Sequence, residues 1–304
     1  MPTRRHVISL TAAAAAVAAG LVPGRGQNKT QDRTRAVATF SIVGDFVRNV
    51  GGERVELATL VGPNGDVHVY APTPGDVKTI AAANIVFVNG LGLEGWIDRL
   101  IAASASRAPV EVASRGIGPR SDTRSQDHTM IDPHAWQSVA NAKLYVGNIR
   151  DGLIAVDAAE KEIFQANATT YLAKLDALDG EIKAAIAAIP PARRKVITAH
   201  SAFGYFGEAY GIAFNAPEGL STEAEPSARA VAKLIEQIRR ENVPALFLEN
   251  VSDSRLLERI AAETGVRIGG KLYSDALSPP DGPAASYIAM MRSNVRELTR
   301  ALTC

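Results

Sequence analysis

The chain has 304 residues, with 33 Lys and Arg set against 32 Asp and Glu, so it offers no basic field and is expected to bind no nucleic acid. Hydrophobic (46%) and charged (21%) fractions are ordinary for a globular chain, here long enough for two domains. The single cysteine, Cys304, rules out an internal disulfide and a thiolate cluster, so any metal is held by nitrogen and oxygen.

Residues 1–5 are basic and residues 7–22 form an alanine-rich apolar run of signal-peptide length, too short for a convincing membrane span. Thr3-Arg4-Arg5-His6-Val7-Ile8 loosely follows a twin-arginine pattern, and Ala18-Ala19-Gly20 offers small residues for cleavage. No cysteine follows the run. The expectation is an exported periplasmic protein that is not a lipoprotein, with residues 1–36 as signal peptide and disordered start.

Residues 37–43 alternate as a strand, 45–50 read as a helix stopped by Gly51-Gly52, and 55–60 as a second strand. Gly, Pro, Asn and Asp then make a loop of 62–76, which carries His68. A helix over 73–83 with Pro74 in its first turn, a buried strand at 85–88, a helix over 93–104 and a strand at 110–112 follow. A polar loop over 114–131 holds His128, and Asp132-Pro133-His134 opens a helix to about residue 156. From 158 to about 188 a second helix carries Phe164, Ala168, Tyr171, Leu175, Leu178, Ile182, Ile186 and Ile189 at three-four spacing, the stripe of one face, until Pro190-Pro191 ends it.

The strand–helix alternation then restarts. Strands at 195–198, 212–215, 245–249 and 268–272 alternate with helices at 203–210, 227–241, 252–264 and 284–302. Such alternation argues for parallel sheets with covered faces. The expected fold is α/β: two lobes, 37–157 and 190–304, each with a mainly parallel sheet and flanking helices, joined by one long rigid backbone helix over 158–189.

His68, His134 and His200 lie 66 residues apart each time, and Asp275 follows 75 residues later. No sequence repeat accompanies that interval. Each candidate follows a strand or opens a helix, where α/β folds place ligand sites, and two fall on each side of the long helix. Three neutral imidazoles and one carboxylate make a complete tetrahedral set for a divalent ion. His128 is either a solvated loop residue or an accessory metal contact. Glu223 and Glu225 read as helix-start carboxylates, the alternative being acceptors for the imidazole N–H groups, and Glu249 as either a cleft residue or an ordinary polar contact. Trp136, Phe203, Tyr205 and Phe206 flank the candidates, as water shields or as core.

These segments resemble the metal-binding solute receptors of bacterial ABC importers for zinc and manganese. The resemblance runs from about residue 37 to the end and is carried by residues 66–70, 88–94, 132–136, 200–206 and 273–277. It implies two lobes joined by a helix, a metal in the cleft, and ligands at His68, His134, His200 and Asp275. Manganese-preferring members tend to carry glutamate at the third position. His200 there points to Zn2+ as cargo and Mn2+ as the alternative, nitrogen suiting zinc and oxygen manganese. The His- and Asp-rich loop of many zinc receptors is short here. Expected partners are a membrane ABC permease and a periplasmic metallochaperone, with the receptor a monomer. A periplasmic zinc hydrolase is the competing reading, but no His-Glu-x-x-His helix is present and a fourth protein ligand closes the position that water needs. A receptor for chelated iron or a cobalamin would call for aromatic or basic cleft residues instead of convergent histidines.

Overall fold

The computed structural model describes residues 33–121, 130–224 and 226–303. The expected signal peptide, His128, Glu225 and Cys304 lie outside them. Among the described residues no helix is long and apolar enough to cross a membrane.

Two four-stranded sheets form, every pairing parallel. The first contains β1 (Thr34–Phe40), β2 (Val55–Val61), β3 (Ile85–Val88) and β4 (Val110–Val112) in the order β2-β1-β3-β4. The second contains β5 (Lys195–Ile197), β6 (Ala213–Asn215), β7 (Leu246–Glu249) and β8 (Ile268–Leu272) in the order β6-β5-β7-β8. Each sheet places its second strand first, so the topology repeats although the sequence does not. The first strand starts earlier than its apolar pattern suggests. Thr34 pairs with Val55 and donates its hydroxyl to Asp157, so residues 34–36 belong to the sheet and not to a disordered start.

The long helix is α5 (Lys161–Ala187), 27 residues and about 40 Å at 1.5 Å per residue. Its buried positions are the stripe read from sequence: Phe164, Ala168, Tyr171, Leu175, Leu178, Ile182 and Ile186. It packs against α1 (Ser41–Gly51), α4 (Val139–Val156) and α9 (Tyr287–Thr303). One continuous core therefore joins the first sheet, α4, α5, α9 and the near side of the second sheet. A separate, smaller core lies on the other side of that sheet, where Ile197, Leu246, Leu257 and Ile260 meet α7 (Ala228–Glu241) and α8 (Arg255–Thr264).

Several expected helices begin late, α8 and α9 by three residues each among them, and two bear on the site. His134 is not helical: a short 3-10 turn, Ala135–Gln137, precedes α4. The helix expected from 93 is α3 (Ile97–Ser104), because Gly90, Leu91 and Gly92 all take positive φ and delay it.

Candidate metal centre

Asp66, in the loop after β2, accepts the backbone N–H of His68 on Oδ1 at 2.9 Å, the two-residue Asp turn that lets a loop present a side chain. Its Oδ2 accepts the Thr222 hydroxyl at 2.6 Å from the far side of the cleft. Trp96 donates its indole N–H to Val67 O, and Asn64 N donates to Leu277 O, which ties this loop to the one bearing Asp275.

His134 repeats the device. Asp132 Oδ1 accepts the His134 backbone N–H at 3.0 Å and lies 2.8 Å from its Nδ1. The local turn satisfies that N–H and fixes the backbone ahead of the 3-10 turn. Arg120 holds the other oxygen of Asp132 at 3.0 Å and reaches Glu208 of α6 (Gly204–Tyr210) at 2.7 Å. Asn89 donates to Pro133 O and is itself held by Tyr145 and, through its backbone N–H, by buried Glu94.

His200 follows β5. Glu249, at the end of the neighbouring strand β7, accepts the backbone N–H groups of Ala199 (2.7 Å) and His200 (2.9 Å). Its other oxygen lies 2.7 Å from His200 Nδ1. Asp275 sits in the loop after β8. Trp136 and Gln137 donate to Ser274 O, and Leu277 N donates to Ser41 Oγ.

These loops bring His68, His134, His200 and Asp275 together, with one candidate donor atom from each inside a 4.8 Å span. His68 Nε2 is 3.3 Å from His134 Nε2 and 3.4 Å from Asp275 Oδ2. Asp275 Oδ2 is 2.9 Å from His200 Nε2, and Oδ1 is 3.5 Å from His134 Nε2. A tetrahedron of nitrogen and oxygen ligands at ~2.0–2.1 Å from zinc has edges of about 3.3 Å, which these separations bracket. His134, His200 and Asp275 are fully buried, and His68 nearly so. His200 Nε2 and both Asp275 oxygens are buried without a hydrogen-bond partner. Orphaned polar atoms that converge in this way are costly unless a cation satisfies them, so the donor set fits a divalent metal.

The electrostatics agree. Burial opposes charge on His200, but the Glu249 and Asp275 carboxylates outweigh it and raise its pKa well above the usual histidine value. Burial likewise opposes ionisation of Asp275, yet His200 and His134 hold its pKa well below the usual carboxylate range.

Of the flanking residues, Trp136 is buried with its ring centre 5.3 Å from that of His134, and it anchors the Asp275 loop. Phe203 stacks on Phe214, Phe206 packs on Tyr210 and Phe214, and the Tyr205 hydroxyl accepts the Arg120 N–H. Glu223 is exposed. Sequence reasoning passed over Asp132 and Asp66, whose shared Asp-x-His spacing was the available signal.

Solved structures share this architecture. The periplasmic zinc binding protein TroA from Treponema pallidum superposes with a TM-score of 0.84 at 28% identity, covering 90% of this chain and 100% of that one. The manganese-binding lipoprotein MntA of Halalkalibacterium halodurans is 32% identical over 91% of each chain. The iron-binding protein YfeA of Yersinia pestis is 30% identical over 89% of this chain and 87% of its own. The relatives are receptors, not enzymes, and the hydrolase reading is set aside.

The expectation that the chain is not a lipoprotein is corrected. MntA and the manganese-transporter relatives from streptococci are named as lipoproteins, so lipid anchoring is common among its relatives, and an extracellular or a periplasmic location fits. Residues 36–301 match the family profile described as ZnuA, zinc-uptake complex component A, periplasmic, and this chain belongs to that family of metal-binding receptors of ABC importers.

Proposed function

We propose that the receptor's cargo is Zn2+, bound by His68, His134, His200 and Asp275 and handed to a membrane permease. The observation that carries this reading is the donor chemistry: three imidazoles and one carboxylate at tetrahedral spacing. Four protein ligands leave no position for a catalytic water, which suits holding over hydrolysis. The ligands divide between the two lobes proposed on either side of the long helix, so a bound ion clamps both. The receptor acts as a monomer that accepts metal directly or from a metallochaperone.

Manganese is the second reading, favoured by MntA's name and identity. It would have to be met by few oxygens, since Asp275 supplies the only carboxylate of the set. Calorimetric titration of metal-stripped protein with zinc and manganese in competition decides between them, with His134→Ala and His200→Ala alongside. One zinc per chain is expected to displace manganese, and both variants should weaken zinc by orders of magnitude. Retention of manganese against equimolar zinc would overturn the zinc assignment. Wild-type affinity in both variants would overturn the site.

A further inference from the structure

Glu249 is a fully buried carboxylate with which, among the described residues, no Lys or Arg pairs. Its Oε1 is occupied by two backbone N–H groups at the end of the strand that delivers His200. Its Oε2 is left over and lies 2.7 Å from His200 Nδ1, out of line for a well-formed hydrogen bond but close enough to govern that nitrogen. The opposite nitrogen, Nε2, faces Asp275 in the metal centre.

We propose that Glu249 is a positioning residue for His200: it keeps a proton on Nδ1 so that Nε2 presents its lone pair to the metal. This rests on the metal-binding reading above. A neutral imidazole carries one proton, and an acceptor beside one nitrogen decides which nitrogen holds it. A carboxylate in that place also makes the ring a stronger ligand. Charge points the same way. Asp132 is paired with Arg120, whereas Glu249 and Asp275, the two carboxylates that face His200, have no Lys or Arg partner among the described residues, and a divalent cation supplies the positive charge they lack.

A residue serving only to seal the core would need nothing beyond the Oε1 contacts, which an amide oxygen reproduces. The second oxygen separates the two roles, and Glu249→Gln tests it. The substitution keeps size and the Oε1 acceptor but turns an N–H donor towards Nδ1. The variant is expected to fold and to bind zinc about 10–100-fold more weakly than wild type, the range for loss of a partner behind a ligating histidine. Ring 15N spectra of the metal-free protein, taken above the raised folded-state pKa of His200 so that the ring is neutral, should show the proton on Nδ1 in wild type and on Nε2 in the variant. Unchanged zinc affinity in a folded variant, or a wild-type His200 with bare Nδ1, would overturn the proposal. The wild-type spectrum decides even where the variant fails to fold. A wild type that binds no zinc would refute the proposed cargo and leave the ring result to be read by itself.

Discussion

His134 and His200 both turn Nδ1 towards a buried carboxylate, but the two carboxylates are held differently. Asp132 is gripped by Arg120, which also contacts Glu208 of α6 and the Tyr205 hydroxyl, so the N-terminal half of the site is tied into a polar network that crosses to the C-terminal lobe. Glu249 is held by two backbone N–H groups and, among the described residues, by no Lys or Arg. The surrounding cores differ too. Trp136, next to His134, lies in the continuous core with α4 and α5, whereas the segment around His200 is shared between the two cores, Val196, Ala202 and Phe203 in the continuous one and Ile197 and Ala199 in the smaller one under α7 and α8. One half thus couples ligand geometry to the packing of the lobes, and the other tunes its ligand with little structural consequence.

Asp132→Asn should break that contrast most visibly. The amide takes over the backbone N–H of His134 but leaves Arg120 short of its buried counter-charge. A loss of about 10–100-fold in zinc affinity is expected, as for Glu249→Gln, together with ~1–3 kcal/mol of stability from a partly buried polar group left unsatisfied. Thermal melting of the two metal-free variants reads the difference. Equal melting temperatures would show that the two halves are built alike after all.

The pattern of legibility follows the same division. The α5 face was plain because one unbroken stripe from Phe164 to Ile186 has to be buried somewhere. The ligand loops were plain because His68, His200 and Asp275 each lie in a loop after a strand, and His134 lies in the distinctive Asp132-Pro133-His134 segment before a helical turn. Strand order was not readable: β4, β5 and β6 are three residues each, too short to encode neighbours, and packing chooses them. The helix expected to open at His134 starts later because the backbone leaves the helical region twice, at His134 (ψ 43°) and at the extended Ser138 that caps α4. Glu249 could not be assigned from sequence, since it meets His200 across 49 residues through a strand pairing that only the fold reveals.

The next effect acts through pH and bears on the His200 half. Glu249 and Asp275 raise the folded-state pKa of His200, burial notwithstanding, so in the metal-free protein the proton-bound ring stabilises the fold. That contribution is complete below the unfolded value of about 6.5 and is lost as pH rises through the higher folded value. Zinc needs the neutral ring, so proton and metal compete across the same window. Zinc affinity should fall by about tenfold per pH unit on acidification, and the fall should begin above pH ~6.5 instead of at it. Competition titrations against a chelator from mildly alkaline to mildly acid pH measure the slope. A flat affinity until the ordinary histidine value would show that the two carboxylates do not act on His200 as their distances imply.

The smallest effect tests whether the first ligand loop is also tied across the cleft. Thr222 donates its hydroxyl to Asp66 at 2.6 Å, and the other oxygen of Asp66 fixes the backbone of His68. Thr222→Val removes the donor while keeping the branched shape. The bond is only part-buried, so its loss should cost no more than about 0.5–1.5 kcal/mol, and the metal ligands themselves are untouched. The expected outcome is therefore kinetic: zinc leaves a few-fold faster in chelator-chase measurements, with the association rate nearly unchanged, because the Asp66 turn still holds His68 but no longer draws the two sides together. Dissociation at the wild-type rate would mean that the clamp is closed by the metal alone, through the two ligands it takes from each side of α5.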